Sequence, residues 1–162
     1  MQKNRVIQIL VSILFVSLSA NAQLVPVQKI APFNIKLTNG QSYTANQMAK
    51  GPTVLIYFSP DCDHCVDFTE DLLKNYSVIA NKQVVMVTFQ DMKMLKPFVQ
   101  KFKLSQYPNI KVGTEGNSFT VQRYYKIRSF PYIAIYDKNG NPVRTYEGVQ
   151  SHAAIFNTLK NI

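Results

Sequence analysis

Residues 53–65 read TVLIYFSPDCDHC and place the only two cysteines of the chain, Cys62 and Cys65, directly after an apolar run. The run from Thr53 to Phe58 predicts a buried strand. If a helix begins at the motif, the two cysteines share one face with Cβ atoms roughly 5–6 Å apart. A disulfide needs Cα atoms about 4.4–6.8 Å apart, so this pair could open and close without a large backbone movement. Because the N-terminal end of a helix favours thiolate over thiol, the pattern predicts redox chemistry through sulfur.

The N-terminal residues have the composition of an export signal. Two basic residues precede an apolar run at 6–20, which is followed by the small-x-small pattern Ala20-Asn21-Ala22. A helix over that run would span roughly 22 Å, short of the roughly 30 Å hydrocarbon core of a bilayer. We therefore predict a signal peptide over residues 1–22, cleaved after about Ala22, in preference to a retained membrane anchor. Residues 23–162 would then form one domain that is periplasmic or otherwise exported and not stably inserted in the membrane.

The size and charge of the chain restrict the function further. Of 162 residues, 140 remain after removal of the first 22, enough for a sizeable core without a disulfide. A bridge between residues three apart also constrains the unfolded chain little, which favours a redox role over a structural one. The formal charge of +9 falls to +7 on loss of Lys3 and Arg5. The remaining basic residues are scattered singly, which predicts a solvated surface and no nucleic-acid partner.

Outside the motif, hydrophobic periodicity predicts alternating strands and helices. A proline inside the stripe around 95–102 predicts that this helix begins at Pro97, where the missing N–H is harmless. Because both short hairpins and helical crossovers occur, we expect an α/β fold with a mixed central sheet flanked by helices. The predicted strands lie at 33–44 (a hairpin), 53–59, 84–89, 110–113, 132–136 and 143–147, and the other predicted helices at 62–76, 119–125 and 151–162.

Three stretches of this sequence resemble the thioredoxin superfamily, and within it the exported TlpA/ResA-like thiol-disulfide oxidoreductases. They are TVLIYF leading into CDHC at 53–65, SFPYIAIYD at 129–137, and DKNG at 137–140 with Gly148 before the last helix. The resemblance covers nearly all of residues 23–162. It implies a thioredoxin-like fold with an N-terminal β extension and a central insertion at roughly 104–125.

The resemblance also implies an activity. A monomeric enzyme of this kind exchanges disulfides with exported proteins, needs no cofactor or metal, and is served by a membrane or periplasmic redox donor. Phe130-Pro131 resembles the family's cis-proline, which would cover the cysteine pair and block metal entry. The Phe130 backbone would then pair with an incoming peptide strand, which makes Phe130 and Pro131 the predicted substrate-binding residues.

The motif itself suggests how the two sulfur atoms divide the work. Cys62, first in the motif, would be the exposed nucleophile, and Cys65, one turn further in, would resolve the mixed disulfide. His64, if protonated, would add a cation beside the Cys62 thiolate and raise the reduction potential. Asp61 and Asp63 would act in the opposite sense.

The chain departs from the family pattern at two positions near the motif. Asp61 stands where the family usually has Trp, and the chain contains no Trp. Ile56 stands where thioredoxins place a buried acid that moves protons. A proton relay therefore has to come from elsewhere, and Glu115 in the insertion is our candidate.

Two other classes of function remain as alternatives. A non-catalytic binding module could hold the cysteines of a partner or present a peptide groove at Phe130-Pro131. A zinc-binding protein could use the same cysteines, although a second ligand pair at a recognisable spacing is missing. The nominal zinc ligands would be Cys62, Cys65, His64 and His152.

Overall fold

The computed structural model describes residues 29–162, which fold into one mixed sheet with helices on both faces. The predicted signal peptide at 1–22 lies outside the described residues. Within 29–162, no helix is long and apolar enough to cross a membrane. The strands are β1 (Asn34–Leu37), β2 (Ser42–Thr44), β3 (Thr53–Tyr57), β4 (Gln83–Thr88), β5 (Ile110–Thr114), β6 (Tyr132–Tyr136) and β7 (Pro142–Glu147). The α-helices are α1 (Asp63–Lys74), α2 (Met92–Lys101), α3 (Thr120–Tyr125) and α4 (His152–Lys160).

The sheet has the strand order β2-β1-β5-β4-β3-β6-β7. The central strands β3, β4 and β5 run parallel, whereas β6 and β7 on one side and β1 and β2 on the other pair antiparallel. β3 lies between β4 and β6 and is buried along its whole length, as its continuous apolar sequence predicts. The cysteine motif therefore begins at the end of a central strand.

The two faces of the sheet carry different side chains because successive residues of a strand point to opposite sides. The helical face packs against α1, α2 and α4, and the tyrosine face packs against α3 and residues 31–35. The core of the helical face includes Val54, Ile56, Met86, Val112, Ile133, Cys65, Phe68, Leu72, Leu95, Phe98, Ile155 and Leu159. The core of the tyrosine face includes Leu55, Tyr57, Val85, Val87, Tyr132, Ala134, Tyr136, Val121, Tyr125, Phe33 and Ile35.

The prediction that a helix begins at Pro97 is wrong. α2 begins at Met92, and the Asp91 side chain caps it by accepting a hydrogen bond from the Met94 backbone N–H at 3.1 Å. Pro97 lies inside the helix and cannot donate to the carbonyl of Lys93, four residues earlier. Both residues are exposed, so this carbonyl lies on the wet side of the helix, and the cap favours the earlier start.

The predicted β extension and central insertion are both present. β1 and β2 form the N-terminal hairpin, and β5 of the insertion separates β1 from β4. β1 approaches β5 so closely that a Cβ atom on Gly113 would lie 2.8 Å from the Lys36 carbonyl oxygen. Glycine at this position therefore allows the β extension to join the sheet.

Candidate active site

The end of β3 and the start of α1 position the two cysteines. Cys62 is the N-cap residue of α1, with extended dihedral angles, and its carbonyl accepts hydrogen bonds from the Cys65 and Val66 N–H groups at 2.9 and 3.0 Å. The Cys62 N–H donates to the Ser59 carbonyl at 3.1 Å. Cys62 is half-buried, whereas Cys65 is only 1% exposed. A substrate approaching from solvent therefore meets the Cys62 sulfur first.

Both cysteines are free, and they lie one helical turn apart, since the Cys65 N–H donates to the Cys62 carbonyl. Burial raises the pKa of the Cys65 thiol, and the neighbouring Cys62 thiol raises it further, against an opposing contribution from the Ser59 backbone. Cys65 is consequently a thiol at neutral pH in the reduced protein. This is the protonation state expected of a residue that waits while the other cysteine attacks.

The loop before β6 completes the surroundings of the cysteine motif. The Phe130-Pro131 peptide bond is cis, the isomer that the resemblance implies. Pro131 is buried, and its carbonyl accepts a hydrogen bond from the Gly148 N–H at 3.0 Å. Within residues 29–162, the backbone of Phe130 takes part in no hydrogen bond. Its N–H and carbonyl are therefore available to an extended peptide.

A carboxylate that the sequence analysis missed holds the cis-proline loop in place. Glu147, at the end of β7, accepts hydrogen bonds from the backbone N–H groups of Arg128 and Ser129. The contact joins residues 18 and 19 positions apart, so no local pattern reveals it. Glu147 thereby fixes the approach of the chain to Phe130.

A second missed contact orders the loop before Cys62. The Gln90 side chain donates to the Ser59 hydroxyl at 3.3 Å, and that hydroxyl donates to the carboxylate of Asp61. Ser59 and Gln90 each follow a strand of the parallel pair β3 and β4, and the carboxyl ends of parallel strands meet at one edge of a sheet. This rule could have indicated from the sequence that Gln90 lies near Ser59.

His64 lies on the exposed side of α1 and lines a cavity of about 190 Å³ beside the cis-proline, which we call the side cavity. The Nδ1 atom of His152 lies 2.8 Å from an Asp71 carboxylate oxygen, and this hydrogen bond is the main cause that lowers the pKa of Asp71. The residues that line the side cavity include His64, Asp67, Phe68, Pro131, Val149 and His152. A larger cavity of about 400 Å³ lies at the other end of β3, near Thr53, and is remote from the cysteines.

Glu115, our candidate proton relay, lies on the tyrosine face. It is 8% exposed, and its carboxylate accepts hydrogen bonds from the Tyr57 hydroxyl and the Val121 N–H, both at 2.8 Å. Its described hydrogen bonds reach neither cysteine. Burial, with the carboxylate beside it, raises the pKa of Tyr57 well above its usual range. The contacts give Glu115 a structural role at the start of α3.

The described residues contain no group of three or more Cys, His, Asp or Glu side chains that could hold a metal ion. Of the nominal zinc ligands, His152 is directed at Asp71 and its ring packs edge-on against Phe68, with ring centroids 5.3 Å apart.

Comparisons with known proteins agree with this geometry. The model of a family described as a thioredoxin-like domain matches residues 41–162. No curated protein matches the chain. A secreted disulfide oxidoreductase from Mycobacterium tuberculosis superposes with a TM-score of 0.67 at 16% identity, covering 81% of this chain and 96% of that one. The thioredoxin domain of a thiol-disulfide oxidoreductase from Bacteroides vulgatus gives 0.65 at 19% identity, with 83% and 93% covered.

An exposed lipoprotein thioredoxin from Streptococcus pneumoniae gives a TM-score of 0.57 at 24% identity, covering 80% of this chain and 98% of that one. These likenesses, together with the family match, confirm the predicted fold class.

Proposed function

Because the chain belongs to the thioredoxin-like domain family, we propose that it is a thiol-disulfide oxidoreductase whose redox pair is Cys62 and Cys65. One observation carries the proposal: a half-buried cysteine caps the N-terminus of α1, and a fully buried cysteine lies one turn further in. His64 of the motif and Pro131, which follows a cis peptide bond, line the same cavity, and this supports a site shared by the motif and the cis-proline. This arrangement suits two thiols that form and break a bond with each other.

The reduction of a substrate disulfide follows in two balanced steps. The Cys62 thiolate attacks one sulfur of the substrate, which forms a mixed disulfide and releases the other substrate sulfur as a thiolate that takes up a proton. Cys65 then loses its proton and attacks the Cys62 sulfur, forming the Cys62–Cys65 disulfide and releasing the second substrate thiol. The same steps in reverse oxidise a substrate dithiol.

The loop before β6 would bind the substrate. An extended peptide can add to the free N–H and carbonyl of Phe130, while Pro131 keeps the peptide against the sulfur pair. The rings of Tyr57 and Phe89 support the Phe130 ring, because the centroid of each lies 5.8 Å from the Phe130 centroid. The Tyr57 and Phe89 rings stack on each other with centroids 6.4 Å apart. His64, when protonated, would stabilise the Cys62 thiolate and raise the reduction potential.

We further propose that the protein acts outside the cytoplasm. The apolar run at 6–20 and the cleavage pattern ending at Ala22 support removal of residues 1–22 and export of 23–162 as one domain. The substrates would be exported protein thiols and disulfides, and a membrane or periplasmic donor would return the pair to its working state. Mass spectrometry of the protein recovered from cells tests this, because an intact N-terminus would contradict cleavage.

Insulin reduction with dithiothreitol tests the activity. We expect the protein to accelerate precipitation of the insulin chains and Cys62→Ser to abolish the acceleration. Cys65→Ser is the matched control, because it keeps the attacking sulfur and, when mixed with insulin after removal of dithiothreitol, should accumulate mixed disulfides that gel electrophoresis without reductant detects. Binding of insulin without any acceleration would favour the alternative of a non-catalytic binding module.

A further inference from the structure

The acidic residues of this basic protein are concentrated around the cysteine pair. Five of the nine aspartates and glutamates lie between residues 61 and 71, and none of the 18 lysines and arginines lies between 51 and 73. The remainder of the chain is therefore strongly basic. A substrate segment that carries positive charge is attracted to the redox helix and repelled elsewhere, which favours productive encounters.

Three of these five carboxylates form an ion pair or a hydrogen bond. Glu70 forms an ion pair with Lys74 at 2.9 Å, and Asp71 contacts both Lys74 and His152. Asp61 accepts a hydrogen bond from Ser59.

Two carboxylates remain. Asp63 is the first residue of α1, where a negative charge offsets the helix dipole. Asp67 lies in the second turn, beyond the range of that effect, and its side chain forms no hydrogen bond or ion pair within residues 29–162.

Asp67 lines the side cavity, which adjoins the cysteine motif through His64. Pro131 and His64 form its wall nearest the motif, and Phe68 and Ile155 contribute apolar surface. Val149 on the rim is 69% exposed, the largest exposure of any large hydrophobic residue among those described. A long side chain with an apolar stem and a cationic end matches a cavity with apolar walls and one unpaired carboxylate.

We propose that the redox site selects cysteine-containing segments with a lysine or arginine next to the reacting cysteine, and that this side chain enters the side cavity against Asp67. The inference rests on the proposed function and specifies its substrate class. The apolar stem packs against Phe68 and Val149, and the cation pairs with the Asp67 carboxylate. Because Asp67 is exposed, the gain is that of a single surface ion pair.

Three matched peptides test the proposal. Each carries one cysteine in a mixed disulfide with a chromophoric thiol, flanked on both sides by lysine, glutamine or glutamate, and the reduced protein is mixed with each at pH 8, where imidazole is ordinarily neutral. We expect the second-order rate constant for release of the chromophore in this single turnover to be about two- to five-fold higher for the lysine peptide than for the glutamine peptide, and lowest for the glutamate peptide. The difference should shrink at about 1 M salt, where the screening length is about 3 Å.

Two variants locate the effect. Asp67→Asn should remove the advantage of the lysine peptide, whereas Glu70→Gln, which removes an exposed carboxylate already paired with Lys74, should retain it. Equal rates for the three peptides, or a lysine preference that survives Asp67→Asn, would overturn the inference while leaving the oxidoreductase activity intact. Failure of all three peptides to release the chromophore would instead contradict the proposed function itself.

Discussion

The helical and tyrosine faces of the same sheet both bury ionisable groups, but these groups have different neighbours on the two faces. On the tyrosine face, the Tyr57 hydroxyl donates to Glu115 at 2.8 Å, and the hydroxyls of Tyr125 and Tyr136 lie 2.7 Å apart. On the helical face, the buried thiol of Cys65 lies one helical turn from Cys62, which is half-buried and accessible to a substrate. Burial alone therefore does not make a group reactive. What distinguishes Cys65 is that its partner is exchangeable and accessible.

The first prediction tests how strongly the helical face depends on apolar packing. Phe68 of α1 is 1% exposed and packs against the rings of His152 and Phe156 of α4. Phe68→Ala should lower the free energy of unfolding by about 3–5 kcal/mol, because it removes a large buried ring and leaves a cavity. Urea denaturation measures the loss. Phe156→Ala, which truncates a half-buried ring, is the control and should cost less; a larger loss for Phe156→Ala would show that the packing has been assigned to the wrong ring.

The second prediction asks whether the tyrosine face is only structural. Tyr57→Phe removes the hydroxyl that donates to Glu115 and should cost about 1–3 kcal/mol of stability, because a buried carboxylate loses a partner. Insulin reduction per folded molecule should change little, since this pair contacts neither cysteine.

Glu115→Gln and the double variant complete a cycle that isolates the Tyr57–Glu115 interaction. If Tyr57→Phe lowered the activity as far as Cys62→Ser does, the separation between the two faces would be wrong and Glu115 would return as a proton relay.

The third prediction uses the raised pKa of Cys65. The unfolded thiol ionises near pH 8.5, whereas the folded thiol stays protonated, so above that pH the native state binds the extra proton. The stability contribution is present below the unfolded pKa and is lost as the pH rises, by at most about 1.4 kcal/mol per pH unit. Denaturation of the reduced protein between pH 8 and 10, compared with Cys65→Ala, measures it. Parallel curves for the two proteins would show that Cys65 is not held as a thiol.

The fourth prediction concerns the support of the cis-proline loop. Glu147→Ala removes the acceptor of the Arg128 and Ser129 N–H groups and should raise KM for insulin about two- to ten-fold with little change in kcat, because the loss corresponds to one or two modest hydrogen bonds. Glu147→Gln keeps an acceptor oxygen and should restore KM. A fall in kcat with unchanged KM would indicate that Glu147 acts on the chemistry and not on the loop.

Local sequence pattern was sufficient to predict the strand and the helix that carry the cysteine motif. The apolar run of β3 and the spacing along α1 predicted the elements that carry Cys62 and Cys65, and the sequence around Pro131 predicted the cis peptide bond. The missed features depend on contacts between distant residues. Tyr57 and Glu115 are 58 positions apart, and the support that Glu147 gives to the loop follows from the pairing of β6 with β7. Contacts between such distant residues leave no periodic pattern in the sequence.

Pro97 shows a different limit of sequence reasoning. Its missing N–H favours a position at the start of a helix, but the Asp91 cap and the inward positions of Leu95, Phe98 and Val99 outweigh that preference. The two signals compete within one turn, and tertiary packing decides between them.

Selective alkylation followed by oxidation tests most directly whether an accessible sulfur and a buried sulfur form one redox pair. The reduced protein is treated briefly with iodoacetamide and mapped by mass spectrometry, and a second sample is oxidised with glutathione disulfide before free thiols are counted. We expect modification of Cys62 well before Cys65 in the first sample and a monomer without free thiols in the second. Preferential modification of Cys65, or oxidation that yields only disulfide-linked dimers, would contradict this expectation.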